Sequence, residues 1–200
     1  MEPNVFDQIA NKYDTTERKD LAQVITNAVQ NECRDSQSKT LFDYGCGTGL
    51  VGLSLVSLVG RIVFIDSSEP MLDLVREKIK KTNITNAEVI HSNFLQNTKT
   101  KKADLLLVSL VLLHIPDTKR ILKYFYEILN PNGKLIVVDF DKNEKINHPK
   151  VHNGFTNTEI RSLFAEVGFK NIEIRTIHHG KNIFMHEDAS LFLATGEKYI

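Results

Sequence analysis

From Thr40 onward the apolar residues arrive in short blocks that alternate between continuous runs and helical spacing. Thr40–Tyr44, Arg61–Asp66, Ala103–Leu110 and Lys134–Asp139 are compact runs. They read as buried strands of a parallel sheet, covered on both faces. Glu88–His91 is a shorter strand. Between them, Glu69–Lys81 places Met71, Leu72, Val75 and Ile79 on one helical face, and Thr118–Leu129 is a second helix. Gly49–Val59 is almost wholly apolar, which predicts a buried helix opened by the glycines before it. Asn130–Gly133 reads as a turn. Thr156-Asn157-Thr158-Glu159 has the form of a capping box ahead of Ile160, Leu163, Phe164 and Val167, and Gly168 fits the stop.

The two ends of the chain depart from this alternation. Phe6, Ile9, Ala10 and Tyr13 share a helical face, and Leu21, Val24, Ile25, Ala28 and Val29 form a second stripe. Asn31–Lys39 is a polar link into the first strand. Asn171–Ile177 and Ser190–Thr195 are strands with no helix between them, so they can pair antiparallel through 178–188. The whole predicts an α/β fold: a doubly wound, Rossmann-like, mostly parallel sheet of seven strands, with an antiparallel last strand and N-terminal capping helices. The chain reads as one domain, 1–200, with a helical cap at 1–36 and a core at 40–200.

Composition narrows the class without naming a chemistry. With 25 basic and 25 acidic residues the formal charge is zero, so the broad basic surface of a nucleic-acid binder is not expected. Lys99, Lys101 and Lys102 read as a solvated loop. Cys33 and Cys46 make neither a metal spacing nor a disulfide framework. The run Leu105–Ile115 is too short for a membrane helix. The N-terminus lacks the pattern of a signal peptide. A cytoplasmic protein without nucleic-acid or membrane partners, monomeric or homodimeric, is expected.

The chemistry is concentrated in Leu41-Phe42-Asp43-Tyr44-Gly45-Cys46-Gly47-Thr48-Gly49-Leu50. A strand, a carboxylate and three alternating glycines make a loop on which a ligand can lie against bare backbone. If a helix follows, its free N–H groups face that ligand. Asp43 would repel a pyrophosphate but suits a ligand bearing an ammonium and a sulfonium. Gly47-Thr48-Gly49-Leu50-Val51-Gly52 also satisfies the dinucleotide pattern Gly-x-Gly-x-x-Gly, which keeps an NAD-dependent oxidoreductase open. Asp66, at the end of the second strand, is placed to bind ribose hydroxyls in either case.

The glycine segment resembles the first motif of the class I S-adenosylmethionine-dependent methyltransferases. Phe6-Asp7-Gln8-Ile9-Ala10-Asn11-Lys12-Tyr13-Asp14 resembles the Phe-Asp-x-x-Ala-x-x-Tyr-Asp opening of their quinone-biosynthesis-like members. The resemblance implies transfer of a methyl group from S-adenosylmethionine to a small-molecule acceptor, with S-adenosylhomocysteine as product. It implies cofactor contacts from Tyr13, Asp43, Gly45, Cys46, Gly47, Gly49, Asp66, Ser67 and Met71. At Asn93, where the family usually has aspartate, an amide oxygen would meet the adenine amino group, and Phe94 would flank the ring. The backbone of Ser109 and Leu110 would follow the methionine part.

Ser109–Asp117 also resembles the segment ending in His-Ile-Pro-Asp of small-molecule methyltransferases. His114 is a candidate base within it, and a structural role is the alternative. His148 and His152 lie in the long loop 141–155, where function is expected. The histidines lack zinc spacing, so no metal is expected. A non-catalytic S-adenosylmethionine-binding protein is the remaining alternative. The acceptor molecule and its acceptor atom are not encoded in any motif.

Overall fold

The computed structural model describes residues 5–92, 101–149 and 151–199. It comprises two compact units, residues 1–98 and 99–200. Its seven-stranded sheet is mixed and mostly parallel, contributed as β3-β2-β1 by the first unit and β4-β5-β7-β6 by the second. Helices flank the strands in both.

In the first unit, α1 (Val5–Ile9) runs through a tight turn at Ala10–Lys12 towards α2 (Thr16–Val29). Thr15 caps α2 by accepting from Arg18 N. The strands are β1 (Ser36–Tyr44), β2 (Val59–Asp66) and β3 (Ala87–His91), all parallel. Leu41, Phe42 and Ile62–Ile65 are at most 1 % exposed, as a sheet covered on both faces requires. α3 (Glu69–Thr82) starts at the Ser68 cap and closes at Asn83, which takes the left-handed conformation. Met71, Leu72 and Val75 are its buried face.

The expected helix at Gly49–Val59 does not form. A short 3-10 turn at Gly52–Leu55 and further turns lead directly into β2. The reason lies under Gly52. A Cβ there would stand 2.6 Å from Phe64 Cε1 and would overlap Asp43 Oδ2, so the backbone itself is packed against the sheet. Glycine also has poor helix propensity, and the segment has two of them. β1 starts earlier than expected, at Ser36, because Ser36 pairs with Val59 before a register shift to Thr40–Arg61.

In the second unit, β4 (Ala103–Ser109) and β5 (Leu129–Phe140) are parallel, and β7 (Glu187–Glu197) is antiparallel to β5 and to β6 (Lys170–Phe184). The antiparallel ending expected from the missing helix is present, as a long hairpin turning at Met185-His186. α4 (Thr118–Ile128) and α5 (Asn157–Val167) pack against these strands. The capping box at Thr156 and Glu159 is formed, and Gly168 stops α5 at φ 115°. Asn130–Gly133 is not a separate turn but a bulge within β5. It falls between the pairs Ala103–Leu129 and Leu105–Lys134, and Asn130 Nδ2 donates to Asp104 Oδ1 at 2.8 Å.

Candidate functional site

The glycine loop follows β1 in the first unit. Gly45, Gly47 and Gly49 all have positive φ, at 70°, 54° and 78°. Only glycine takes three such positions without strain, so their spacing fixes the loop's path. Its amides are largely engaged. Gly45 N and Cys46 N donate to Ile65 O at 2.8 and 3.1 Å, Gly49 N donates to Cys46 O at 2.9 Å, and Gly47 N donates to Asp66 Oδ2 at 2.8 Å. The expectation of free N–H groups at a helix start therefore fails here, since no α-helix follows and β2, with Cys46 O of the loop itself, supplies the acceptors.

Asp66 gathers the site. It ends β2, and its Oδ1 accepts from Ser68 N at 2.9 Å while Oδ2 takes Gly47 N. Burial raises its carboxyl above the usual range, opposed by the bonds from Gly47, Ser68 and Ser67, with Asp7 adding repulsion. Two oxygens offer about four acceptor positions, so capacity remains for ligand hydroxyls. Ser67 is half-buried beside it, and its carbonyl lies 3.0 Å from His91 Nε2. Met71 is 1 % exposed, so its side chain belongs to the packed face of α3.

Tyr13 lies on the other side of the loop. Its Cε1 is 3.8 Å from the position a Cβ on Gly47 would take. The Arg18 guanidinium lies 4.1 Å from the ring centroid and donates from Nη1 to Tyr13 O at 3.1 Å. Burial pushes the Tyr13 phenol up, with Arg18 opposing and Asp66 and Asp14 assisting. Tyr13, Gly47 and Asp66 are thus one cluster, joined from three distant parts of the sequence.

Asp43 is placed differently from a residue that meets a ligand directly. It is 2 % exposed and accepts a backbone hydrogen bond from Gly52 beneath the loop. Burial, with Asp66 adding repulsion, pushes its pKa up to about 7. The Cys46 thiol is held well above its ordinary range by burial and by Asp43 and Asp66, so it stays protonated and is no nucleophile.

The second unit holds the other candidates. Ser109 ends β4, and Leu110 N donates to Val138 O at 2.8 Å with Leu110 at φ 55°. For a branched side chain this is a strained backbone of the kind found at functional sites. His152 N donates to Leu113 O at 2.7 Å, and its ring stacks on Phe155 at 4.4 Å. His114 is exposed, and partial desolvation of its ring together with the charge of His148 lowers its pKa. The loop 141–155 is bonded to itself, with Lys142 N on Phe155 O and Asn143 N on Asn153 O. Among the described residues no His, Cys, Asp or Glu group has the geometry to hold a metal ion. No helix there is long and apolar enough to cross a membrane. Asn93 and Phe94 lie outside the described residues.

Sequence reasoning passed over Asp139. It is fully buried at the end of β5, where Oδ1 accepts from Phe140 N at 2.8 Å and Oδ2 from Leu113 N at 3.2 Å. It therefore staples the segment after β4 that carries Leu110 and His114. The signal was a carboxylate closing the apolar run of β5. Burial raises its pKa to about 7, as for Asp43.

Both raised carboxyls bind protons more tightly in the folded than in the unfolded protein. Their contribution to stability is complete below about pH 4 and is lost as pH rises through about 7. Each group alone gives a slope approaching about 1.4 kcal/mol per pH unit inside that window. Asp139→Asn should therefore destabilise the protein at pH 5 and lose more than about 1 kcal/mol of that deficit by pH 8. Urea unfolding at the two pH values measures it. A deficit independent of pH would contradict the raised pKa.

The model of the methyltransferase domain family matches residues 35–187. An uncharacterized methyltransferase of Schizosaccharomyces pombe is 29 % identical over 155 residues, covering 68 % of this chain and 55 % of its own. A demethylmenaquinone methyltransferase of Listeria welshimeri is 28 % identical over 110 residues, covering 53 % and 47 %. The chain spans about half the length of these curated relatives. An S-adenosylmethionine-dependent methyltransferase structure from Aquifex aeolicus superposes with a TM-score of 0.74 at 20 % identity, over 96 % of this chain and 97 % of the other, and shares the fold. With the glycine loop, Asp66 and the antiparallel ending of the sheet in place, the family match is decisive: the chain belongs to the class I S-adenosylmethionine-dependent methyltransferases, in the methyltransferase domain family.

Proposed function

We propose that the protein transfers a methyl group from S-adenosylmethionine to a small-molecule acceptor. The observation that carries this reading is the state of the glycine loop. Four of its amides are spent on Ile65, Cys46 and Asp66, and two carboxylates, Asp43 and Asp66, adjoin it. A pyrophosphate needs free N–H donors and a positive helix end. This loop has spent four of its donors and opens no α-helix, and it favours a ligand that carries cationic groups and ribose hydroxyls. The NAD-dependent alternative loses its main support.

Asp66 would hold the ribose hydroxyls through its remaining acceptor positions. Gly45, Cys46, Gly47 and Gly49 would present bare backbone, with Ser67 at one side and the Tyr13 ring over Gly47. Asp43 would act from beneath, through its field. S-adenosylmethionine supplies an activated methyl: the acceptor's electron pair forms the new bond to carbon, and the carbon–sulfur pair leaves on sulfur as S-adenosylhomocysteine. The protein's part is alignment and exclusion of water, worth a large share of the barrier. An acceptor with an acidic proton needs a base as well. His114, held below its ordinary pKa, is the candidate for that role.

Asp66→Ala should weaken S-adenosylhomocysteine binding by about 1.5–3 kcal/mol, the value of charge-assisted hydrogen bonds. Calorimetry on the variant reads this directly, and unchanged affinity would remove Asp66 from the site. The activity itself is tested by incubating the protein with methyl-labelled S-adenosylmethionine and a metabolite extract. Label is expected in one or a few small molecules. Cofactor binding without label transfer to any of them would favour the non-catalytic alternative.

A further inference from the structure

The glycine loop is also tied to the N-terminal segment by a three-residue network. Lys78, on α3, donates from Nζ to Thr48 O at 2.7 Å and to Asp14 Oδ2 at 2.7 Å. Thr48 Oγ1 donates to the second carboxylate oxygen, Asp14 Oδ1, at 2.5 Å. One ammonium thus grips the backbone of the loop between Gly47 and Gly49 and the residue next to Tyr13. The side chains of Lys78 and Asp14 are 29 % and 26 % exposed, and Thr48 is 1 % exposed. The pair is more enclosed than an ordinary surface ion pair, which contributes little.

The network has a direction. Asp14 follows Tyr13, and Thr15 begins the cap of α2, with Arg18 returning to the Tyr13 ring and carbonyl. Holding Asp14 therefore fixes where the Tyr13 ring stands above Gly47. Holding the Thr48 carbonyl fixes the peptide between the second and third glycines. Glycine-rich backbone is otherwise free to move, and ordering it on binding costs affinity.

We propose that Lys78 is a positioning residue for the cofactor: with Asp14 and Thr48 it latches the segment bearing Tyr13 over the glycine loop and preorganises that face for S-adenosylmethionine. The proposal rests on the reading of the loop as the cofactor site. Lys78 touches no ligand in it and acts through Tyr13 and the Thr48 carbonyl. An isolated structural ion pair would alter melting temperature alone. A latch alters cofactor affinity and the exposure of the Tyr13 segment.

The test uses the full chain and S-adenosylhomocysteine as the probe. Calorimetric titration compares wild type with Lys78→Met, Lys78→Arg, Asp14→Asn and Lys81→Met, the last being an exposed lysine on the same helix. Lys78→Met and Asp14→Asn should each weaken binding by about tenfold or more, Lys78→Arg should recover most of the loss, and Lys81→Met should match wild type. Hydrogen exchange over 10–18 should rise in Lys78→Met without ligand and stay raised with it. Affinity within about twofold of wild type in folded Lys78→Met overturns the latch. If that variant does not fold, Asp14→Asn, which keeps the Lys78–Thr48 bond, decides on the same criterion. If wild type itself fails to bind the probe, the cofactor reading falls. Exchange over 10–18 then decides the latch alone, with no change in Lys78→Met counting against it.

Discussion

Gly52→Val is expected to destabilise the protein by several kcal/mol and to leave little folded material at 37 °C. A Cβ at 52 overlaps Asp43 Oδ2 and stands 2.6 Å from Phe64 Cε1, and neither neighbour is the free end of a flexible chain. Phe64 is fully buried in β2, and Asp43 is buried at the end of β1. Overpacking at such a site costs about 1–3 kcal/mol. Displacing Gly52 also removes an N–H from a buried carboxyl, at about 1–3 kcal/mol more. Equilibrium unfolding in urea, followed by far-ultraviolet circular dichroism, gives the answer. A midpoint equal to that of wild type would show that the backbone of 49–59 does not rest on Asp43 as described.

Gly47→Val should behave in the opposite way, sparing the fold and abolishing cofactor binding. The nearest atom to a Cβ at 47 is Tyr13 Cε1 at 3.8 Å, an ordinary contact. The cost to folding is the strain of a branched residue at φ 54°, about 1–2 kcal/mol. The new side chain would stand on the bare backbone against which the ligand is proposed to lie. Binding of S-adenosylhomocysteine should weaken by about a hundredfold or more. Retained affinity in a folded Gly47→Val protein would place the cofactor elsewhere. The two glycines, five residues apart, thus separate a structural role from a functional one.

The strands and most helices were legible because their signals are local. Continuous apolar runs at 62–65 and 105–108 mark a doubly covered sheet, and Thr156, Glu159 and Gly168 carry their own capping chemistry. Gly49–Val59 misled for a physical reason. Its apolarity reports burial, and burial alone does not distinguish a helix from turns pressed against a sheet. Asn130–Gly133 misled in a related way, since its turn residues serve a bulge inside a strand. At the candidate site, the closeness of Gly47 and Asp66 was readable from their spacing, and a bond joins them across the loop. The burial of Asp43 beneath Gly52 was not, nor were the contacts of Lys78 and Asp139. Each depends on which face of an element meets a distant residue, and the pattern along the chain does not encode that.

Parallel calorimetric titrations of the wild-type protein with S-adenosylhomocysteine and with NAD test the central claim most directly. A loop with four of its amides already engaged and which adjoins Asp43 and Asp66 should take the first with a saturable isotherm at one site per chain, and should give no heat of binding with the second. Binding of NAD with no response to S-adenosylhomocysteine would contradict it.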